Sequence, residues 1–173
     1  YNNLLTWDGR YGPDSRDHAA LIDATASERS LLVNLFFKLY RGEGDVGGLF
    51  DAIAAQTGYK YPLMAYLFFL KDSRTYMPIQ PTGFDRVFAA LGIQLTTLRQ
   101  CSWENYSIYN SALQDLRHKI SQHFNITDVV LIDAHSLCWI YSTLLKERQD
   151  GGLSPGHRGK DPGRILGPRQ ASI

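Results

Sequence analysis

Cysteine and methionine are scarce in this chain, two of each in 173 residues. Cys101 and Cys138 lie far apart with no C-x-x-C pairing, so the sequence encodes neither a disulfide framework nor a close-set thiolate zinc site. They read as buried thiols acting as small apolar side chains. Long apolar runs are missing too. The longest, residues 63–70, has eight residues, against the roughly 18 that a bilayer span needs, and no membrane partner is expected. There is no P-loop, no G-x-G-x-x-G after a strand, no G-x-S-x-G elbow and no HNH-type cluster. His118 and His123 miss the i, i+4 spacing of a helical metal pair. No catalytic residue, metal or cofactor is assigned on these grounds. The chain opens at Tyr1 with neither a methionine nor a signal pattern, and a fragment of a larger cytoplasmic protein is expected.

What is present is an ordinary globular composition, 44% hydrophobic and 20% charged, long enough to bury a core. The net charge of +1 is unevenly spread. Arg158, Lys160, Arg164 and Arg169 against Asp161 make residues 151–173 basic, at +3, which leaves residues 1–150 at −2. Six glycines and three prolines in those last 23 residues cannot hold a helix or a packed core. The expected organisation is one recognition domain over 1–150 and a basic linker or tail over 151–173.

Helix signals dominate the body. Residues 1–14 are aromatic and turn-rich, and are expected to wrap the surface through Trp7 and Tyr11, with a short helix over about 15–24. Thr25-Ala26-Ser27-Glu28 fits a capping box, in which hydroxyl and carboxylate satisfy the first exposed amides. Leu31, Leu32, Leu35, Phe36 and Leu39 follow at helical spacing, and Gly42 supplies a stop. A second helix buries Leu49, Phe50, Ile53 and Ala54 and closes at Gly58. Thr82 is placed as the cap of a helix with Phe84, Val87, Phe88 and Leu91 inward. Ser102 caps a long helix to about His123 with Tyr106, Tyr109, Leu113, Leu116 and Ile120 on one face. Residues 129–132 suit a strand or a helix start, and the pattern through Leu137, Trp139, Ile140 and Leu144 favours helix.

The middle of the chain reads differently. Residues 61–70 are aromatic and aliphatic, Pro62 suits a strand start or edge, and 71–74 make a polar turn before a return strand over 75–79. The expected fold is therefore α+β, mostly helical, with a central β-hairpin packed against a helical core.

Asp133, His135 and Ser136 carry the groups of acid–base or nucleophilic chemistry, but positions two apart on a helix do not face each other. An enzyme using Asp133 and His135 is the third reading of the chain. Around the expected hairpin stand Tyr59, Lys60, Tyr61, Lys71, Arg74 and Tyr76. Aromatic rings beside cations suit base stacking and phosphate neutralisation. The same residues also read as half-buried strand tyrosines and a solvated turn.

The segment 28–79 resembles the sulfur-binding domains of modification-dependent restriction enzymes, which recognise phosphorothioate DNA. Arg29-Ser30-Leu31-Leu32-Val33 matches the opening of that family's Leu-rich helix, and Tyr61-Pro62-Leu63-Met64-Ala65 matches its second motif, before the turn Asp72-Ser73-Arg74. Glu28 stands where the family has His, and Ser30 where it usually has Pro. The resemblance implies a shallow apolar pocket for sulfur from Tyr61, Pro62, Leu63 and Ala65, with Arg29 on the phosphate. Such a pocket makes physical sense, because sulfur is more weakly hydrated than oxygen while a neighbouring cation holds the charge. Residues 101–106 and 132–136 also resemble accessory domains of bacterial restriction or defence enzymes.

The reading that follows is a non-catalytic DNA-binding module of a bacterial restriction or defence protein, reading a backbone or base modification. Its nucleic-acid-binding residues would be Arg29, Lys60, Tyr61, Pro62, Leu63, Ala65, Lys71, Arg74 and Tyr76, with the catalytic domain or subunit outside this fragment. The alternative is a protein–protein interaction or oligomerisation module of such a system, in which the aromatics form an interface core. Deleting residues 151–173 should leave the melting temperature nearly unchanged. It should weaken DNA binding and flatten its salt dependence, because four cations are lost. A large fall in melting temperature in calorimetry would show the tail to be part of the packed body.

Overall fold

The computed structural model describes residues 16–151. The aromatic opening stretch and the tail from 152 onward lie outside the described residues. Helix α1 (Ala19–Ile22) is a single turn rather than the expected helix over 15–24; no side chain caps it and it buries no residue. Helix α2 (Ala26–Arg41) begins with the capping box as expected. Thr25 accepts from the Glu28 amide, and the Glu28 carboxylate returns to the Thr25 amide at 2.8 Å. Gly42, at φ +73°, ends it in the left-handed conformation that glycine adopts without a Cβ penalty.

Helix α3 (Val46–Gln56) starts from Asp45, whose carboxylate caps the Gly48 amide, and buries Leu49, Phe50, Ile53 and Ala54. It packs on α2, on α4 (Tyr61–Lys71) and on α6 (Trp103–Phe124). The α6 contact depends on Gly47, since a Cβ there would come within 2.6 Å of Trp103 Cδ1. Helix α5 (Pro81–Ala90) and α7 (Leu131–Gly151) pack on each other, and α7 also packs on α6. Ser102 caps α6 as expected, but Thr82 does not cap α5: Pro81 takes the first position and Gln80 precedes it.

One continuous core joins these helices. The Phe50 ring meets Phe68 edge-on at 5.0 Å and stacks on Tyr106 at 5.2 Å, and Tyr106 stacks on Tyr109 at 6.0 Å. Phe84, Val87, Phe88 and Leu113 are buried in the same cluster, with Leu116 and Trp139 half-buried against it. Of the expected inward residues Leu31 and Leu91 are exposed, and so is Leu137 of the apolar pattern in α7. On α7 the buried stripe is Leu131, Ala134, His135 and Cys138, while Ile140 and Leu144 face outward. That helix carries apolar residues all round, so periodicity does not select its inner face. No helix among the described residues is long and apolar enough to cross a membrane.

The expected β-hairpin does not form. Among the described residues there are seven helices and no strand, so the fold is all-helical rather than α+β. Residues 61–71 contain no β-branched side chain, and Leu, Met, Ala and Lys are among the better helix formers. Pro62 sits in the first turn of α4, where its missing N–H costs nothing. Tyr61, Met64, Ala65 and Phe68 are buried at helical spacing.

The expected return strand is an extended strap over residues 76–80, and its backbone partners are side chains of α6. The Met77 amide donates to Asn110 Oδ1 at 2.9 Å. The Met77 carbonyl accepts from Tyr106 Oη at 2.9 Å and the Pro78 carbonyl from Tyr109 Oη at 2.6 Å. A buried backbone group needs a partner, and these three side chains replace the neighbouring strand. Tyr109→Phe keeps the ring and removes one of the donors to the Pro78 carbonyl, which His135 also faces, so chemical denaturation should show a loss of about 0.5–1.5 kcal/mol. An unchanged unfolding free energy would mean that the strap does not depend on this bond.

Candidate functional site

The end of α3, the start of α4 and the start of α5 surround a cleft of about 490 Å³, closed on one side by the turn that leads into α6. Helix α3 ends at Gln56, Gly58 turns left-handed just past its cap, and Tyr59 donates its amide to the Ala54 carbonyl at 2.8 Å, the bond that closes a Schellman motif. Tyr59 itself adopts φ +55° and is 61% exposed at the rim of the cleft. Lys60 follows at the position just before α4, and Tyr61 and Pro62 form the adjoining wall. Tyr61 is buried apart from its contribution to this wall, and its hydroxyl donates to Asn105 Oδ1 at 2.8 Å. Burial pushes its phenol pKa well above the ordinary range, so it stays a neutral donor.

Across the cleft, Leu98 and Arg99 sit on a tight turn in which the Gln100 amide donates to the Thr97 carbonyl at 3.0 Å. Asp85 of α5 holds this turn, accepting from the Thr97 amide at 2.8 Å, the Thr97 hydroxyl at 2.6 Å and the Leu98 amide at 3.0 Å. Asn105 Nδ2 adds a bond to the Thr96 carbonyl at 2.9 Å. These bonds hold Arg99 at φ +61°, a left-handed backbone that costs a side-chain-bearing residue on the order of 1–2 kcal/mol. Three non-glycine residues among those described have positive φ. Asn125 is a helix cap, and the other two, Tyr59 and Arg99, both line this cleft. Such strain persists where the surroundings over-determine it, and it concentrates at binding sites.

Helices α4 and α5 both begin at the cleft without a side-chain cap, each with a proline in its first turn, Pro62 and Pro81. Their positive ends add to Lys60 and Arg99, with Asp17 as the carboxylate of the lining. Cys101 also lines the cleft, but burial, aided by Asp51, pushes its thiol up to about 12, so it stays protonated and a poor nucleophile. The arrangement suits binding of an anion that carries an apolar or flat group. It brings no nucleophile together with a base.

The structure splits the residues expected to bind nucleic acid. Lys60, Tyr61 and Pro62 stand at the cleft, whereas Leu63 and Ala65 point into the core and are buried. Lys71 closes the far end of α4, roughly 15 Å away along the helix at 1.5 Å per residue, and Arg74 and Tyr76 lie beyond it. Tyr76 is half-buried against Phe68, with ring centroids 5.4 Å apart. Arg29 sits in the first turn of α2 and donates to the Ala24 carbonyl at 3.3 Å. With 61–71 helical, Tyr61 and Pro62 share the cleft wall while Leu63 and Ala65 are buried in the core, so the pocket implied by the resemblance does not assemble from all four. Arg99 and Asp85 carried no local signal, because their partnership spans a loop.

Asp133 and His135 also part. Asp133 is exposed and its carboxylate accepts from the Val130 amide at 2.8 Å. His135 is buried against the Phe84 ring at 5.2 Å, and its Nε2 has no hydrogen-bond partner among the described residues. No group of three His, Cys, Asp or Glu that could hold a metal occurs among the described residues. The chain matches no protein-family model, no curated protein and no solved structure.

Burial holds the His135 imidazole down to about 4 from 6.5, with the Pro78 carbonyl opposing part of the shift. The folded state therefore keeps His135 neutral where the unfolded chain already takes up a proton. Its contribution to stability is complete above pH 6.5 and is lost as the pH falls toward 4, about 3 kcal/mol in all. His135→Gln should flatten the unfolding free energy between those pH values by that order. An unchanged acid slope would place the proton uptake elsewhere.

Proposed function

We propose that this chain is a DNA-binding module whose cleft seats one phosphodiester unit of the backbone. Arg99 and Lys60 supply the charge, the open helix starts add their dipoles, and Tyr59 offers an exposed ring for an adjacent base or sugar. The observation that carries the reading is the pinned turn: three bonds from Asp85 hold Arg99 in a strained backbone, across the cleft from an equally strained Tyr59. A turn already held in place presents the Arg99 side chain to a phosphate with part of the backbone ordering cost removed. Any preference for a modified backbone would rest on the Pro62 and Pro81 rings of the apolar wall, since Leu63 and Ala65 are in the core. As a restriction or defence component, the module would work in the cytoplasm and position a nuclease or motor carried by another domain or subunit.

Arg99→Gly tests this directly. Glycine adopts the left-handed turn freely, so stability should stay within about 1 kcal/mol of the parent. Affinity for short DNA in fluorescence anisotropy should fall about tenfold or more, with the slope of log K against log salt lower by about 1. Lys71→Glu and Arg74→Glu, at and just past the other end of α4, should change affinity far less. The reading fails if Arg99→Gly binds DNA as the parent does, or if the parent binds no DNA at low salt.

A further inference from the structure

The outward side of α2 does not behave as a solvated helix face. Val33, Phe37 and Tyr40 recur at i, i+4 and i+7 on the side away from the buried Leu32 and Leu39, and are 62%, 56% and 47% exposed. The Tyr40 hydroxyl donates to the Leu67 carbonyl of α4 at 3.0 Å, which joins this stripe to Leu70, 56% exposed and one turn further along α4. Single exposed apolar residues are ordinary, but four in register across two helices form a patch. Its make-up of Phe, Tyr and Arg is that of an interface centre.

The charges around the patch select the partner. Arg29 lies one turn before Val33, and the Arg41 guanidinium sits over the Phe37 ring at 5.6 Å. Lys71 follows Leu70. Glu28, the acid of α2, is held in the capping box, and Glu43 lies 4.0 Å from Arg41 at the edge. A second copy on this face would set Arg29, Arg41 and Lys71 near their own kind, and the chain's own tail is itself basic at +3. We propose that the patch formed by Val33, Phe37, Tyr40 and Leu70 docks an amphipathic helix of a partner protein, apolar on one side and flanked by Asp or Glu. The apolar anchors at helical spacing would meet the apolar side of that helix, and the cations would fix its orientation. The patch lies at the last turn of α4 and the cleft at its first, so DNA and partner would not compete.

The test uses the full chain and two synthetic helical peptides with the same Leu stripe, one flanked by Glu and one by Lys. The Glu peptide should bind at least tenfold tighter, with amide shifts confined to α2 and the end of α4. Phe37→Asp, at an exposed position that leaves the fold intact, should cost at least tenfold in that affinity, and Arg29→Glu combined with Arg41→Glu should reverse the preference between peptides. Equal affinities, no binding of either peptide, or shifts centred on the Arg99 cleft would each overturn the proposal. So would a dimer in sedimentation that Phe37→Asp dissolves, because the occupant would then be a second copy.

Discussion

Three buried side chains of α6 hold the extended strap that links α4 to α5. Tyr106, Tyr109 and Asn110 take up the Met77 amide and the Met77 and Pro78 carbonyls, all inside the core. An extended segment in that position has no strand beside it, and each orphaned group would cost on the order of 1–3 kcal/mol. The polar ends of the two tyrosines make burial tolerable, and their rings extend the aromatic stack that begins at Phe50. Because the strap crosses α6 at a set register, it fixes where α5 begins. The start of α5 forms one wall of the cleft.

A second polar network depends on the first. Asp85, one turn into α5, reaches the turn at 97–98, and Asn105 on α6 binds both Tyr61 and the Thr96 carbonyl. The turn is thus tied to α5, to α6 and, through Tyr61, to α4. Few alternatives are open to Arg99 under these bonds, and its left-handed backbone is the visible cost. The same bonds keep Tyr61 buried and neutral, so it serves as a structural wall of the cleft rather than a mobile stacking ring.

Helix α4 then separates two surfaces of different chemistry. At its first turn lies a concave site with two cations and two helix starts that lack side-chain caps; at its last, an exposed apolar patch continues onto α2 with arginines around it. The cleft offers charge in a shaped recess, and the patch offers apolar area with a charged rim. A module that holds a nucleic acid at one end and a partner helix at the other would act as an adaptor.

Wherever a helix has an amphipathic stripe and local capping chemistry, the sequence by itself determined the outcome. The capping box at Thr25, the stop at Gly42, the buried face of α3 and the Ser102 cap depend on neighbours within a few positions, and all were legible. The stretch 61–79 was not. An apolar run of eight residues serves a buried helix or a strand equally well, and only the tertiary structure decided, by burying Tyr61, Met64, Ala65 and Phe68 and by supplying strap partners from a helix some 30 residues later. The same holds for the inner face of α7, which is apolar all round, and for Arg99, whose conformation is set by Asp85 from a different element. Capping and periodicity are local interactions, whereas the pairing of a buried backbone group depends on whatever side chain the fold brings to it.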